Sequence, residues 1–433
     1  MLKVVFYSTF EMSYISFGYL QGYKHIIDMT TIFHITLRTI LIISKCMGLI
    51  DISYTMGPNG LLARNLKSSF YTFLEIARMI VLLIFTYIYF HQFDPEFHIF
   101  QYISILKFWV VIIATRVSTI WIIKFINGII EFDRKITPLS TNLMVTQHSL
   151  NKKQWDRIFI LFIAYLIGFK CLQIYLYPIK IVNISSLVHS LVFAPPYVMD
   201  STVTIVSCFF LQNLYFRFQT LIDFWKCLPT ELVAVPGQWT RIEIVVLMEN
   251  TRLLHSELCD LSRKFTQGYG ILLLGFYTFS FISMLIGVYF IVNNDPLSSA
   301  NTAEKFRVVI PLIVHAQIFT FMVSIIVSVS FINEERIKII SYLRLYRISN
   351  LHLDIKRQIK MFMNQIPAYE LDQISAFGFF YINLNLVTSI IVLLITGIST
   401  MIQMKDHPII LQLNHDTKSL LMKLFKSSKI KLN

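Results

Sequence analysis

Runs of about 20 apolar residues recur along this chain, each long enough to cross the roughly 30 Å hydrocarbon core of a bilayer as one helix. Seven are legible, at residues 70–90, 102–124, 158–177, 194–216, 269–292, 308–331 and 377–404. Lipid offers the backbone no hydrogen bonds, so such a run must satisfy its own N–H and C=O groups as an α-helix. The expected fold class is an all-α polytopic membrane protein with seven transmembrane helices. Composition agrees: only 15% of the 433 residues are charged, against about 25% in soluble domains.

The placement of Lys and Arg gives these spans an expected direction. The region before the first span carries Lys24, Arg38, Lys45, Arg64 and Lys67. The next connection has no Lys or Arg and contains Asp94 and Glu96, and the one after it carries Arg134, Lys135, Lys152, Lys153 and Arg157. Basic and non-basic connections alternate in this way down the chain. The positive-inside rule then puts the N-terminus in the cytoplasm, and seven spans put the C-terminus outside. The expected organisation is a cytoplasmic N-terminal region at 1–69, with an amphipathic or re-entrant stretch at 34–50, then spans one to four within 70–216. A cytoplasmic helical connection follows at 217–268, then spans five and six at 269–331, a cytoplasmic amphipathic helix at 332–376 and the last span at 377–404. The basic tail 405–433, with Lys405, Lys418 and Lys423, falls outside in this scheme and runs against it. Asn183, in Asn183-Ile184-Ser185, is a glycosylation candidate in a loop expected outside.

Several function classes are excluded on chemical grounds. The five cysteines are scattered, with no metal-ligand spacing and no disulfide framework. The chain has no His-Glu-x-x-His, phosphate-cradling Gly loop, Gly-x-Ser-x-Gly or Cys-x-x-Cys pattern, so neither catalysis nor a cofactor is expected. The net charge of +13 comes from residues flanking spans rather than from a patch with stacking aromatics, which argues against a nucleic-acid partner and for membrane lipid. A receptor that couples to G proteins has its N-terminus outside, the reverse of this charge map.

The last span carries a polar stripe. Asn385, Ser389, Thr396, Ser399, Thr400 and Gln403 recur mostly at helical spacing, with Val387, Ile390, Ile391, Leu394, Ile395 and Ile398 expected opposite. Such a face either glues helices together or, repeated in several copies, walls a pore. Two further apolar stripes, Leu254, Leu258, Leu261, Phe265 and Ile355, Ile359, Phe362, Ile366, read as amphipathic helices, the second ended by Pro367. Ionisable groups inside spans are functional candidates. Lys107, Lys170, Asp200 and His315 fall toward the outer halves, near Trp109, Gln173, Tyr175, Tyr197, Tyr289 and Gln317. They suit a pocket for a small organic ligand. Asp200 equally suits a structural ion pair with Lys170 or Lys107.

Three motifs point to a family. The last span reads Thr396-Gly397-Ile398-Ser399-Thr400-Met401-Ile402-Gln403-Met404, preceded by Ala376-Phe377-Gly378-Phe379-Phe380-Tyr381-Ile382-Asn383. Leu254-His255-Ser256-Glu257-Leu258, Phe265 and Tyr269-Gly270-Ile271-Leu272-Leu273 precede the fifth span. Together these resemble the insect gustatory receptors: the Thr-Tyr-x5-Gln-Phe signature with Gly397 and Met404 in place of Tyr and Phe, its Gly-Phe-Phe lead-in, and the Leu-x-His segment. The resemblance implies a tastant-gated cation channel, a homo- or heterotetramer with other gustatory receptors in the plasma membrane of a sensory neuron. It implies a pore lined by the last span with Thr400, Gln403 and Met404 near the gate, and an anchor region formed by the cytoplasmic helices. Ile398 stands where sugar-type members carry an acidic residue, which points to the bitter-type group. Two other functions are weighed: an insect odorant-receptor-like channel subunit and, in a different class, a secondary transporter.

Overall fold

The computed structural model describes residues 29–57, 59–64, 69–91, 98–143, 145, 152–176, 197–229, 232, 239–293, 302–345, 351–370 and 373–404. Within them lie nine α-helices and two short antiparallel hairpins. Helix α1 (Met29–Cys46) and the pair β1 (Tyr54–Met56) and β2 (Leu62–Arg64) come first. Then follow α2 (Ser69–His91), α3 (His98–Asn142), α4 (Lys152–Leu176), α5 (Val198–Cys227), α6 (Arg241–Asn293) and α7 (Thr302–Leu345). Helix α8 (Leu353–Glu370), the pair β3 (Ser375–Ala376) and β4 (Phe380–Tyr381), and α9 (Leu384–Met404) end the described chain. Asn183 and the tail 405–433 lie outside the described residues.

Among the described residues, five helices, α2, α3, α6, α7 and α9, are long and apolar enough to cross a membrane by length and composition. The expected seven require α4 and α5 as well. Helix α5 is surrounded by protein: Asp200, Ser201, Thr202, Ser207, Arg217 and Thr220 are buried along it beside Phe209, Phe210, Leu214, Phe218 and Leu221. A helix wrapped by other helices needs no apolar outer face, so its polar residues lower its hydropathy without exposing it to lipid. Helix α4 turns Ile160, Leu161, Ile163 and Ile167 outward, and α2 does the same with Phe73, Ile76, Ile80 and Leu83. Such a rim of exposed apolar side chains is what lipid requires.

Three helices far exceed one crossing. At 1.5 Å per residue, α3, α6 and α7 run about 65–80 Å. The first half of α6 carries Glu249, Arg252, Glu257, Asp260, Arg263 and Lys264, so it lies beyond the apolar run that begins at Tyr269. It starts at a capping box in which the Thr240 N–H donates to Glu243 Oε2 at 2.7 Å and the Glu243 N–H donates to Thr240 Oγ1 at 3.3 Å.

The two amphipathic stripes meet inside this one chain. Leu254, Leu258, Leu261 and Phe265 on α6 and Ile355, Ile359, Phe362 and Ile366 on α8 are all buried. The Phe362 ring lies 5.7 Å from Trp225 of α5 and 5.2 Å from His255 of α6. Neither stripe is left free to lie on a bilayer. Pro367 does not end α8, which continues to Glu370, because near a C-terminus the lost N–H removes only one late bond.

His255 gives this junction a pH dependence. Burial, with Arg336 adding to it, holds its pKa down to about 3 from the ordinary 6.5. The folded state therefore keeps His255 neutral while the unfolded chain takes up a proton below pH 6.5. Stability is complete above that value and declines as pH falls toward 3. The melting temperature of the solubilised protein should drop between pH 7.5 and pH 5, and His255→Phe should flatten that drop.

The last helix does not start at Phe377. Residues 375–381 form the β3–β4 hairpin, with Phe377 at φ 51° and Gly378 at φ 78° in its turn, closed by the Phe379 N–H on the Ala376 carbonyl at 3.1 Å. Successive left-handed residues suit a tight hairpin and favour Gly at position 378. Asn383 then caps α9, its Oδ1 accepting the Leu386 N–H at 3.2 Å.

Candidate functional site

Helix α9 packs along one side only. Ile390 is buried, and Leu386, Val387, Leu394, Gly397, Ile398 and Met401 are half-buried against α6 and α7. A Cβ on Gly397 would come within 2.8 Å of Leu285 Cδ1, so the glycine standing where the gustatory signature has Tyr is a close-contact point with α6. Asn385, Ser389, Thr396, Ser399, Thr400 and Gln403 are all exposed. At 100° per residue, Asn385, Thr396 and Gln403 project within about 20° of one another and about 120–180° from Ile390 and Leu394. The polar stripe is thus turned away from the rest of the chain, with Asn385, Thr396 and Gln403 at its centre. Ile391 and Ile395, expected opposite the stripe, are exposed on its flank instead. Ser389 Oγ donates to the Asn385 carbonyl at 3.1 Å and Thr400 Oγ1 to the Thr396 carbonyl at 2.8 Å, leaving oxygen lone pairs outward. The Met404 side chain lies outside what the structure describes.

The outer-half candidates divide. Lys107 of α3 and Asp200 of α5 form a buried ion pair at 2.6 Å, which selects Lys107 over Lys170 as partner. Lys107 Nζ also donates to Ser280 Oγ of α6 at 2.8 Å and sits 4.9 Å from the centre of the Phe276 ring. This pair forms part of the wall of a cavity of about 20 Å³, with Ser104, Phe108, Tyr197 and Ser283 among the other lining residues. Lys107, Tyr197 and Asp200 therefore come together. The others do not. Trp109 donates through Nε1 to Thr86 Oγ1 of α2 at 3.2 Å, and Gln317 accepts from Tyr165 OH at 2.6 Å. The His315 ring occupies the space a side chain would need at Gly287, where a Cβ would lie 1.8 Å from Nε2. Tyr175 is 82% exposed on α4. Lys170 and Tyr289 are partly buried and are not among the cavity-lining residues. The side chain of Gln173 lies outside what the structure describes. No group of three or more His, Cys, Asp or Glu side chains that could hold a metal occurs among the described residues.

Residues 37–407 match the family profile described as 7tm Chemosensory receptor. The chain belongs to that family. The receptor also aligns with the solved structure of the insect olfactory receptor OR5 from Machilis hrabei in complex with eugenol, at 14% identity and a TM-score of 0.49, covering 86% of this chain and 99% of that one. No curated protein matches it significantly. As a member of this family with several apolar spanning helices, it is a multi-pass plasma membrane protein.

The motif residues of this chemosensory receptor converge on the last helix. A Cβ on Gly270 would lie 2.9 Å from the Phe377 backbone nitrogen and 3.4 Å from the Ser375 carbonyl oxygen. The Tyr269-Gly270 step of α6 thus exists in this fold to let the hairpin backbone press against the helix. Tyr277 reinforces the contact, with its ring 5.9 Å from that of Phe380 and its OH donating to the Met322 carbonyl of α7 at 3.0 Å.

One charged cluster escaped the sequence reading. Glu75 and Arg78 of α2 and Arg116 of α3 lie within apolar spans, and Glu75 is paired with both arginines. Arg116 Nη1 also lies 3.6 Å from Asp51. The two guanidiniums bond the carbonyls of Lys45, Gly48 and Ile50, and Glu75 Oε2 accepts the Ile52 N–H at 3.2 Å. The cluster therefore satisfies backbone groups where α1 ends, which buried carbonyls and N–H groups outside a helix require. An unbroken signal was present in the sequence: two Arg and one Glu inside otherwise apolar runs.

Proposed function

We propose that this receptor is a tastant-gated, non-selective cation channel of the gustatory type, with its pore lined by α9 from four copies of this chain or of related receptors. The exposed polar stripe of α9 carries the reading. Amides and hydroxyls facing lipid are unfavourable, so the stripe calls for water or another protein surface, and a ring of α9 helices around an aqueous path supplies both. The lining holds no acidic residue, so selectivity among cations would come from pore diameter and weak dipoles. Gln403, Thr400 and Met404 would form the constriction, where a flexible thioether can close a narrow ring.

Ligand would enter beside Lys107 and Asp200. That wall is an ion pair with no net charge. A charged ligand would have to break the pair or bring an uncompensated third charge into a low-dielectric site. Neutral, hydrogen-bonding organic molecules escape both costs, and bitter-type compounds of that kind are the favoured ligands. Larger ones require the cavity to widen, which would move α6 through Ser280 and Ser283. Gly270, on the same helix, would pass that displacement to the hairpin and so to α9.

Whole-cell recording from cells expressing the full chain, challenged with sugars, plant alkaloids and neutral phenolics, tests this. Ligand-evoked cation current is the expected result. Uptake of a radiolabelled compound without current would identify a transporter instead.

A further inference from the structure

A second, separate cavity of about 10 Å³ lies where α1, α3, α5 and α6 meet, with Thr115 of its wall about two helical turns along α3 from Lys107. Its polar lining is unusual. Ser44, Ser207 and Tyr269 come from three different helices, and each is 2% exposed or less. None of their three hydroxyls has a hydrogen-bond partner among the described residues. A fourth lining residue, Thr115, donates its hydroxyl to the Ile112 carbonyl at 2.8 Å and keeps acceptor capacity. The remaining wall is Leu49, Ile50, Ile122, Val203, Val206 and Leu272, none of which can satisfy a hydroxyl.

Unpaired hydroxyls buried in an apolar wall are destabilising, and three on residues lining one void rarely stay unpaired. The volume is close to the minimum that admits one water, and a buried water makes two to four hydrogen bonds. We propose that this cavity is a binding site for a single structural water held by Ser44, Ser207 and Tyr269, with Thr115 as a further acceptor from it. The lining favours water over a cation: every side-chain oxygen in it belongs to a neutral hydroxyl, and a metal ion there would have no compensating carboxylate.

The site has a mechanical consequence. Ser44 is at the end of α1, next to the carbonyls held by Arg78 and Arg116. Tyr269 immediately precedes Gly270, the residue against which the β3–β4 hairpin rests. The water would therefore join the α1 end to the step of α6 that positions the last helix, through hydroxyls that make no direct bond with one another.

A density map of the full-length receptor in lipid nanodiscs, at a resolution that shows ordered water, tests the site directly. A peak within hydrogen-bond distance of all three hydroxyl oxygens is expected. A map without that peak, or with the hydroxyls bonded to each other, overturns the proposal. Thermal melts of Ser44→Ala, Tyr269→Phe and the double variant give a second readout, since each change deletes little more than one oxygen. The shared water predicts that the double variant melts close to the worse single variant. Shifts that simply add would contradict a shared occupant.

Discussion

Replacing Asp200 alone with Leu is expected to destabilise the folded receptor by about 3–5 kcal/mol, the usual consequence of removing one partner from a buried ion pair. Lys107 would be left with Ser280 Oγ and the Phe276 face as its remaining partners, and neither carries a counter-charge. The double change Lys107→Met with Asp200→Leu should restore most of the loss. It leaves no charge buried, and apolar side chains of similar volume in place of an ion pair are often neutral or stabilising. Melting of detergent-solubilised receptor, followed by fluorescence-detected size exclusion, separates the cases. The single variant should melt far below wild type and the double variant near it. If Asp200→Leu and the double variant melt alike, the pair does not govern this region.

Gly270→Ala should have an effect of opposite sign to the ordinary one. Inside a helix, Ala is favoured over Gly by about 1 kcal/mol. Here the new Cβ would meet the Phe377 backbone nitrogen at 2.9 Å, and a backbone atom cannot swing aside as a side-chain tip can. Overpacking of this kind destabilises by about 1–3 kcal/mol. Because the displaced segment is the hairpin leading into α9, ligand-evoked current should fall further than surface expression. Gly168→Ala on α4 is the matched control: no atom lies within 4 Å of its Cβ, so it should be neutral or slightly stabilising. Equal behaviour of the two variants in both assays would remove the hairpin contact from the account.

Much of this architecture is legible in sequence because lipid imposes a simple rule on length and polarity. The spans in α2, α3, α6, α7 and α9 follow from apolar runs, and the α9 stripe follows from 100° periodicity in one helix. What the sequence left open depends on contacts between distant segments. Asp200 had two candidate partners, Lys107 and Lys170, and only packing of α5 on α3 chooses between them. Ile391 and Ile395 have the same chemistry as Ile390, so periodicity alone could not decide how wide the packed face is. The Phe377–Tyr381 stretch is as apolar as a helix start. It becomes a hairpin because Gly378 accepts a left-handed turn and Gly270 makes room beside it. Pro367 reads as a helix stop, yet so near a C-terminus its missing donor is tolerated. Glu75 and Arg116 are 41 positions apart in the chain and meet only because α2 and α3 lie side by side in the fold.

Cysteine substitution along α9, with thiol-reagent block of ligand-evoked current, tests the pore most directly. Block is expected at Asn385, Ser389, Thr396, Ser399, Thr400 and Gln403, with the helical period of the exposed stripe. No block is expected at Ile390 and Leu394, which face α6 and α7. Current that survives the reagent at every position of the polar stripe would contradict a pore lined by this helix.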